Sequence, residues 1–91
     1  MKPELSAIPR LAPGVRFGDS DRQRKVLLMP ERALRLNGPS FEILRLCDGR
    51  HTVHRIAEEL QVTFPTSDPQ RIINDLLDYL ASLHDERAID F

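Results

Sequence analysis

The side chains best suited to metal chemistry are Cys47, His51 and His54, which lie close together near the middle of the chain. Thiolate and imidazole groups are the ligands that Zn²⁺ prefers, and a structural zinc site needs about four of them converging on the ion. The remaining histidine, His84, lies far along the chain, so the spacing does not complete a site. We therefore expect no metal, with Cys47 buried and inert and the other two histidines at the surface near a helix start.

Three pairs of carboxylates are the other groups that could act as acids or bases: Glu58 and Glu59, Asp75 and Asp78, and Asp85 and Glu86. General acid–base catalysis needs a carboxyl group whose pKa is raised by an apolar pocket. These pairs instead fall on the polar sides of amphipathic helices, where we expect them to face solvent. The sequence also has no glycine-rich phosphate loop and no nucleophile elbow. It therefore predicts no catalytic residues and a protein that is not an enzyme.

Composition favours one small folded domain. The chain has 91 residues, of which 41% are hydrophobic and 30% charged. A domain of this size buries roughly 60–65% of the surface that its unfolded chain exposes, so its core is thin. No apolar run approaches the length of about 18 residues that suggests a membrane span, and the N-terminus carries no apolar signal region. With its single cysteine, the sequence predicts a cytoplasmic protein without disulfides or membrane contact.

Charge is distributed unevenly along the chain. Residues 1–50 carry ten Lys and Arg against six Asp and Glu, whereas residues 51–91 carry three against eight. The basic residues fall in or near the predicted strands, while the predicted helices are acidic and would repel a phosphate backbone. A small winged-helix regulator that binds nucleic acid through its basic strands therefore remains the less favoured alternative, and nucleic acid is an unlikely partner.

The first 14 residues form a proline-rich arm. Pro3, Pro9, Pro13 and Gly14 predict an extended, irregular segment. Its apolar residues are expected to pack on the body of the domain or on a neighbouring copy: Leu5, Ile8 and Leu11. Because an extended arm can exchange between protomers, a homodimer through this arm stays open. Residues 15–91 are expected to form the folded domain.

The first half of that domain has the alternation typical of strands. We predict strands over 15–17, 24–29 and 32–36, separated by a polar turn at 18–23 and a turn at Pro30–Glu31. In the last strand, Leu34 and Leu36 lie on one face and Ala33 and Arg35 on the other. Asn37, Gly38 and Pro39 end this antiparallel meander.

Apolar spacing in the second half changes to that of helices. We predict a first helix over 40–47, ended by Asp48–Gly49, and a second helix capped by Thr52. A third helix, capped by Ser67 or Asp68, carries an apolar stripe from Ile72 to Leu83. Residues 85–91 support no prediction. The predicted fold class is α+β, a three-stranded antiparallel sheet followed by three α-helices, similar to a winged helix-turn-helix.

An edge strand in such a sheet is a candidate site for peptide binding. Its unpaired N–H and C=O groups can hydrogen-bond an extended peptide, which then adds to the sheet as a further strand. If residues 32–36 form that edge, the third helix could wall the cleft beside it. Leu34, Ile73 and Leu77 would then select the peptide, with Arg32 and Arg35 nearby. Two alternatives stay open: Ile73 and Leu77 are plain core residues, or the domain is an adaptor without a peptide ligand.

A family resemblance rests on segments in the middle of the chain: Leu27-Leu28-Met29-Pro30-Glu31, Leu36-Asn37, Ile43-Leu44 and Leu46-Cys47-Asp48-Gly49. Together they closely resemble the small PqqD-like peptide chaperones of pyrroloquinoline quinone (PQQ) biosynthesis. The likeness covers residues 9 to 83. The spacing of Pro-Glu, Leu-Asn and Cys-Asp-Gly in one chain is more specific than any of these short motifs alone.

The resemblance implies a non-enzymatic role without a bound cofactor. Proteins of this kind bind a ribosomally made precursor peptide and present it to a radical S-adenosylmethionine enzyme, which cross-links a Glu and a Tyr of the peptide. The leader of the peptide is expected to add beside the third strand and the third helix. The peptide-binding residues implied here are Arg32, Ala33, Leu34, Arg35, Leu36, Arg71, Ile73, Asn74 and Leu77.

Overall fold

The computed structural model of the chain describes residues 2–18, 25–36, 38–65 and 67–91. Along the chain the secondary-structure elements are β1 (Arg10–Leu11), β2 (Arg16–Gly18), β3 (Lys25–Met29), β4 (Arg32–Leu36), α1 (Gly38–Arg45), α2 (Val53–Thr63), α3 (Pro69–Asp85) and β5 (Ile89–Asp90). The predicted α+β class, with three antiparallel strands before three helices, is confirmed. The further likeness to a winged helix stays a prediction. The predicted turn at 18–23 lies outside the described residues except for Gly18. Asn37 and Thr66 also lie outside them.

Strands β2, β3 and β4 form an antiparallel sheet in that order. Their register aligns Phe17, Leu27 and Leu34 across the three strands, and Leu27 is fully buried. Because successive side chains point to opposite faces, this row defines the inner face of the sheet, against the helices. Arg35 therefore lies on the opposite face, as the alternation in β4 predicts.

Helix boundaries follow local signals that the sequence carries. The Thr52 side chain accepts a hydrogen bond from the Arg55 N–H at 3.1 Å, which caps α2 as predicted. Of the two candidates for the α3 cap, Asp68 is the one that accepts from the Gln70 N–H, at 3.2 Å. Helix α1 begins and ends two residues earlier than predicted, and Cys47 lies in the tight turn that follows it.

The N-terminal arm lies against the body of the domain. Its carbonyl groups at Leu5 and Ala7 accept hydrogen bonds from the first N–H groups of α2, both at 2.9 Å. Strand β1 pairs with β5 in a second, two-stranded sheet. Leu11 packs against the core, whereas Leu5 and Ile8 are each 44% exposed. The arm thus supplies hydrogen-bond acceptors to the first N–H groups of α2, which lack partners within the helix.

One apolar core joins these elements. It is formed by the inner face of the large sheet, the buried sides of the helices, and the C-terminal residues Ala88 and Ile89, which are both fully buried. Helix α3 contributes Leu76, Leu80 and Leu83. The tail that supported no prediction is therefore part of the core.

Gly49 ends the segment after α1 in a backbone conformation that favours glycine. Its φ is +77°, and an added Cβ would lie 3.6 Å from the Arg10 Cβ, so space is available and the strain is in the backbone alone. We expect Gly49→Ala to lower the free energy of unfolding by about 1–2 kcal/mol. Urea denaturation measures this change.

Gly38 offers the matched control for that substitution. It begins α1, no described atom beyond its chain neighbours and the backbone of its own helix lies within 4 Å of an added Cβ, and its φ is not in the left-handed region. Gly38→Ala is expected to be neutral or to stabilise by up to about 1 kcal/mol, because alanine favours helix. Equal effects at both positions would contradict the conformational account of Gly49.

Candidate functional site

Strand β4 is an open edge of the large sheet. Among the described residues it pairs only with β3, so the main-chain groups on its other side have no strand partner. Arg32, Ala33 and Arg35 are exposed, Leu34 is half-buried and Leu36 is 6% exposed. Within the described residues, this strand has five residues against three in β2. Such an edge is a template for another strand.

One end of this edge lies beside the end of α3. The Arg32 side chain, at the start of β4, donates a hydrogen bond to the Glu86 carbonyl oxygen at 3.3 Å. Its guanidinium also lies 3.8 Å from the Glu86 carboxylate, with both side chains nearly half exposed. A groove of about 710 Å³ with mixed polar and apolar lining adjoins them and is also lined by Met29, His84 and Asp90.

The other end of the edge leads to a more apolar groove of about 380 Å³. It lies between the start of α1, which follows β4, and the first half of α3. Ser40 and Ile43 line it from α1, and Ile72, Asp75 and Tyr79 line it from α3. The start of β4 therefore contacts the residue that follows α3, and the residues at the start of α1 share a groove with the first half of α3.

The residues predicted on α3 do not all face this edge. Ile73 lines a small pocket of about 80 Å³ with residues of the arm and α2, such as Leu5 and Ala57, and none of its lining residues comes from β4. Leu77, one turn further along, packs against the core. Arg71 is highly exposed and lies 3.8 Å from Asp75. Asn74 is exposed and accepts a hydrogen bond from the Gln70 side chain at 3.2 Å.

The structure thus brings the five β4 residues to one edge and divides the α3 residues between two sides of the helix. The assignment of all nine residues to peptide binding stays a prediction. Ile72, Asp75 and Tyr79, which line the groove at the start of α1, were not among the predicted residues. The helical stripe at 72, 76, 79 and 83 was the available signal, but periodicity alone does not tell which side of a helix lines a cleft.

Cys47 and His51, two of the residues considered for metal binding, have other partners. Burial raises the pKa of the Cys47 thiol to about 12, and the adjacent Asp48 charge adds to this effect. The Cys47 thiol donates to the Ile43 carbonyl oxygen at 3.3 Å. The hydrogen bond from His51, at 2.9 Å, lowers the pKa of Asp48. Within the described ranges, no three His, Cys, Asp or Glu side chains are grouped so that they could hold a metal ion.

None of the helices in the described residues combines the length and the apolar character that crossing a bilayer requires.

The architecture and the site define an α+β domain that presents an unpaired strand edge beside its last helix. A family model described as coenzyme PQQ synthesis protein D (PqqD) matches residues 24–89. The chain belongs to the PqqD family, which confirms the resemblance found in its sequence.

Relatives of this chain differ in how much of their length it covers. It is 42% identical over 86 residues to the bifunctional coenzyme PQQ synthesis protein C/D of Methylorubrum extorquens, covering 93% of this chain but 23% of that protein. It is 41% identical over 80 residues to a PqqA binding protein of Rhodopseudomonas palustris, covering 88% and 76% of the two chains. A PqqA binding protein of Pseudomonas aeruginosa is 39% identical over 83 residues, with coverage of 90% and 88%.

A solved structure shares the whole fold. It is the solution NMR structure of the PqqD truncation of Methylobacterium extorquens PqqCD, described as a functional, stand-alone recognition element for ribosomally synthesised and post-translationally modified peptides. The TM-score is 0.77 at 40% sequence identity, with 97% of this chain and 94% of that chain covered.

Proposed function

We propose that this chain is a non-catalytic peptide chaperone of PQQ biosynthesis that binds the precursor peptide PqqA. The observation that carries the proposal is the five-residue open edge of β4 beside α3, in a fold shared with a peptide recognition element. Relatives at about 40% identity are named for binding PqqA. The chain's place of action in the cytoplasm remains part of the same prediction.

Main-chain pairing supplies the sequence-independent part of the binding. An extended peptide beside β4 accepts from and donates to the strand's outward N–H and C=O groups, and each such hydrogen bond contributes roughly 0.5–1.5 kcal/mol net. These groups are already fixed in the sheet by β3. The cost of ordering therefore falls on the peptide alone, which favours binding.

Side chains around the edge select the peptide. Leu34, on the inner face, offers apolar contact, while Arg32 and Arg35 offer positive charge at exposed positions. The apolar groove at the α1 end can receive a large apolar side chain, beside Asp75 and Tyr79. The proposed contacts remain the nine predicted residues: Arg32, Ala33, Leu34, Arg35, Leu36, Arg71, Ile73, Asn74 and Leu77.

The bound peptide is then presented to a radical S-adenosylmethionine enzyme, which carries out the chemistry. The domain itself offers no reactive thiolate at Cys47, because burial keeps that thiol in its neutral form. The carboxylate pairs of α2 and α3 considered as acids or bases are largely exposed, as at Glu58 and Asp75, with side chains 55% and 73% exposed. Exposure keeps such groups in water rather than in the apolar pocket that acid–base catalysis needs.

Calorimetric titration with the PqqA peptide at low and physiological salt tests the proposal. We expect one-to-one binding with a Kd in the micromolar range or tighter, corresponding to about −8 kcal/mol, with only a modest loss at the higher salt. Steep salt dependence, with binding to duplex DNA of random sequence instead, would favour the nucleic-acid regulator. No heat of binding from the folded protein would contradict the proposal.

A further inference from the structure

The hairpin between β3 and β4 fixes the direction of the main-chain groups along β4. Its loop consists of Pro30 and Glu31, and the register pairs Met29 with Arg32 directly across that loop. In a hairpin with a two-residue loop, the pair next to the loop is hydrogen-bonded, and hydrogen-bonded and non-hydrogen-bonded pairs then alternate along the ladder. Every second residue of β4, beginning with Arg32, therefore directs its N–H and C=O groups to β3.

Two residues of β4 are left to hold a peptide through their main chain. Ala33 and Arg35 direct their N–H and C=O groups outward, and no described residue bonds to those groups. A peptide strand that continues the antiparallel order of β2 and β3 can exchange two hydrogen bonds with each of them. The residues of the peptide that face Ala33 and Arg35 are then separated by a single residue, which fixes how the peptide lies along the edge.

The side chains of β4 alternate in the same rhythm. Arg35 lies on the outer face of the sheet, whereas Leu34 and Leu36 lie on the inner face, toward the helices. Residues directly opposite each other on paired strands share a face. The peptide residue opposite Arg35 therefore lies on the outer face, and its two neighbours lie on the inner face beside the two leucines. Because pairing removes water from these inner positions, apolar neighbours are favoured there.

Arg35 determines the charge that suits the outer position. Its side chain is exposed and has no ion pair with any residue in the described ranges, whereas Arg32 already contacts Glu86. Opposite charges directly across two strands attract, and like charges repel. An acidic side chain gains less by pointing inward, because Glu86 and Asp75 already place carboxylates beside Arg32 and in the groove at the start of α1.

We propose that the β4 edge recognises a peptide segment in which an acidic residue lies between two apolar residues. The acidic residue pairs with Arg35, and its neighbours pack beside Leu34 and Leu36. This inference rests on the proposed function, because it needs a peptide strand at β4, and it adds the sequence that such a strand must carry. Arg35 then determines where along the peptide the strand forms.

Charge exchange between Arg35 and the peptide tests the proposal. Each Asp and Glu of PqqA is changed to Lys in turn, and every peptide is titrated by calorimetry against wild-type and Arg35→Glu protein. At one position, between two apolar residues, Lys is expected to weaken binding to the wild-type protein at least about threefold, and Arg35→Glu should restore most of that loss. Arg16→Glu is the matched control, because Arg16 is exposed on the same face at the opposite edge, and it should restore none of the loss.

Ala33→Pro tests the direction of the hydrogen bonds. Proline lacks the N–H that would face the peptide, and at this position it leaves the bonds to β3 in place, as edge strands tolerate. The variant should stay folded by circular dichroism and bind unmodified PqqA at least about twofold more weakly. If proline unfolds the domain, the exchange at Arg35 alone decides.

Three results would overturn the inference: full affinity of a folded Ala33→Pro protein, no peptide position whose loss Arg35→Glu restores, or a restored position without apolar neighbours. Failure of the wild-type chain to bind unmodified PqqA would instead overturn the proposed function.

Discussion

Leu34→Asp is expected to weaken PqqA binding by more than tenfold, or more than about 1.4 kcal/mol. Leu34 lies on the inner face of the edge strand, half-buried against the core. A peptide strand added beside it would remove water from this position, and a carboxylate without a partner is costly to desolvate. Calorimetric titration of the variant with the peptide measures the loss. Leu34→Ala, which removes only apolar contact, should lose affinity by a smaller factor.

Val62 provides a matched control for the same type of change. It lies near the end of α2, is 78% exposed and lines neither groove at the ends of the β4 edge. Val62→Asp should therefore leave peptide affinity within about twofold of wild type. If Leu34→Asp stays folded by circular dichroism and binds the peptide as wild type does, β4 is not the binding edge.

Ile89→Ala is expected to lower the free energy of unfolding by about 2–5 kcal/mol, a large share of the stability of a small domain. Ile89 is fully buried in the shared core and pairs through β5 with Leu11 of the N-terminal arm. Its loss leaves a cavity where the arm, the tail and α3 meet. Urea denaturation measures the change, with the dependence of the unfolding free energy on urea concentration taken as the same for both proteins.

Phe91 is the control for the tail. It is 41% exposed and its ring lies 4.9 Å from the His84 ring, outside the core cluster. Phe91→Ala should cost about 1 kcal/mol or less. Equal small effects of Ile89→Ala and Phe91→Ala would mean that the C-terminal strand is not part of the cooperative core.

The strands and helices between residues 15 and 85 were largely predictable because their signals are local. Strand β4 was predicted to the residue, and the Thr52 cap also matches its expected role. The tail was not predictable, because Ala88-Ile89-Asp90 is too short to show a period. It becomes a strand only through pairing with Arg10–Leu11, which lie nearly eighty residues earlier. Non-local pairing of two short segments leaves no pattern within either segment.

The same limit applies to the candidate site. Alternation in Arg32–Leu36 correctly assigned the two faces of β4, since a strand has a period of two. On α3, the apolar stripe is wide enough to include both Ile72 and Ile73, one lining the groove near α1 and the other a pocket beside the arm. Which side of the helix meets β4 depends on the packing of α1, α2 and the arm. That packing is a property of the tertiary fold.

Amide hydrogen exchange with and without PqqA tests most directly whether the peptide adds as a strand to β4. The account predicts slower exchange in residues 32–36, whose outward N–H groups gain partners, and unchanged exchange in β2, the opposite edge of the same sheet. Saturating peptide with no added protection in β4, or with protection in β2 instead, would contradict it.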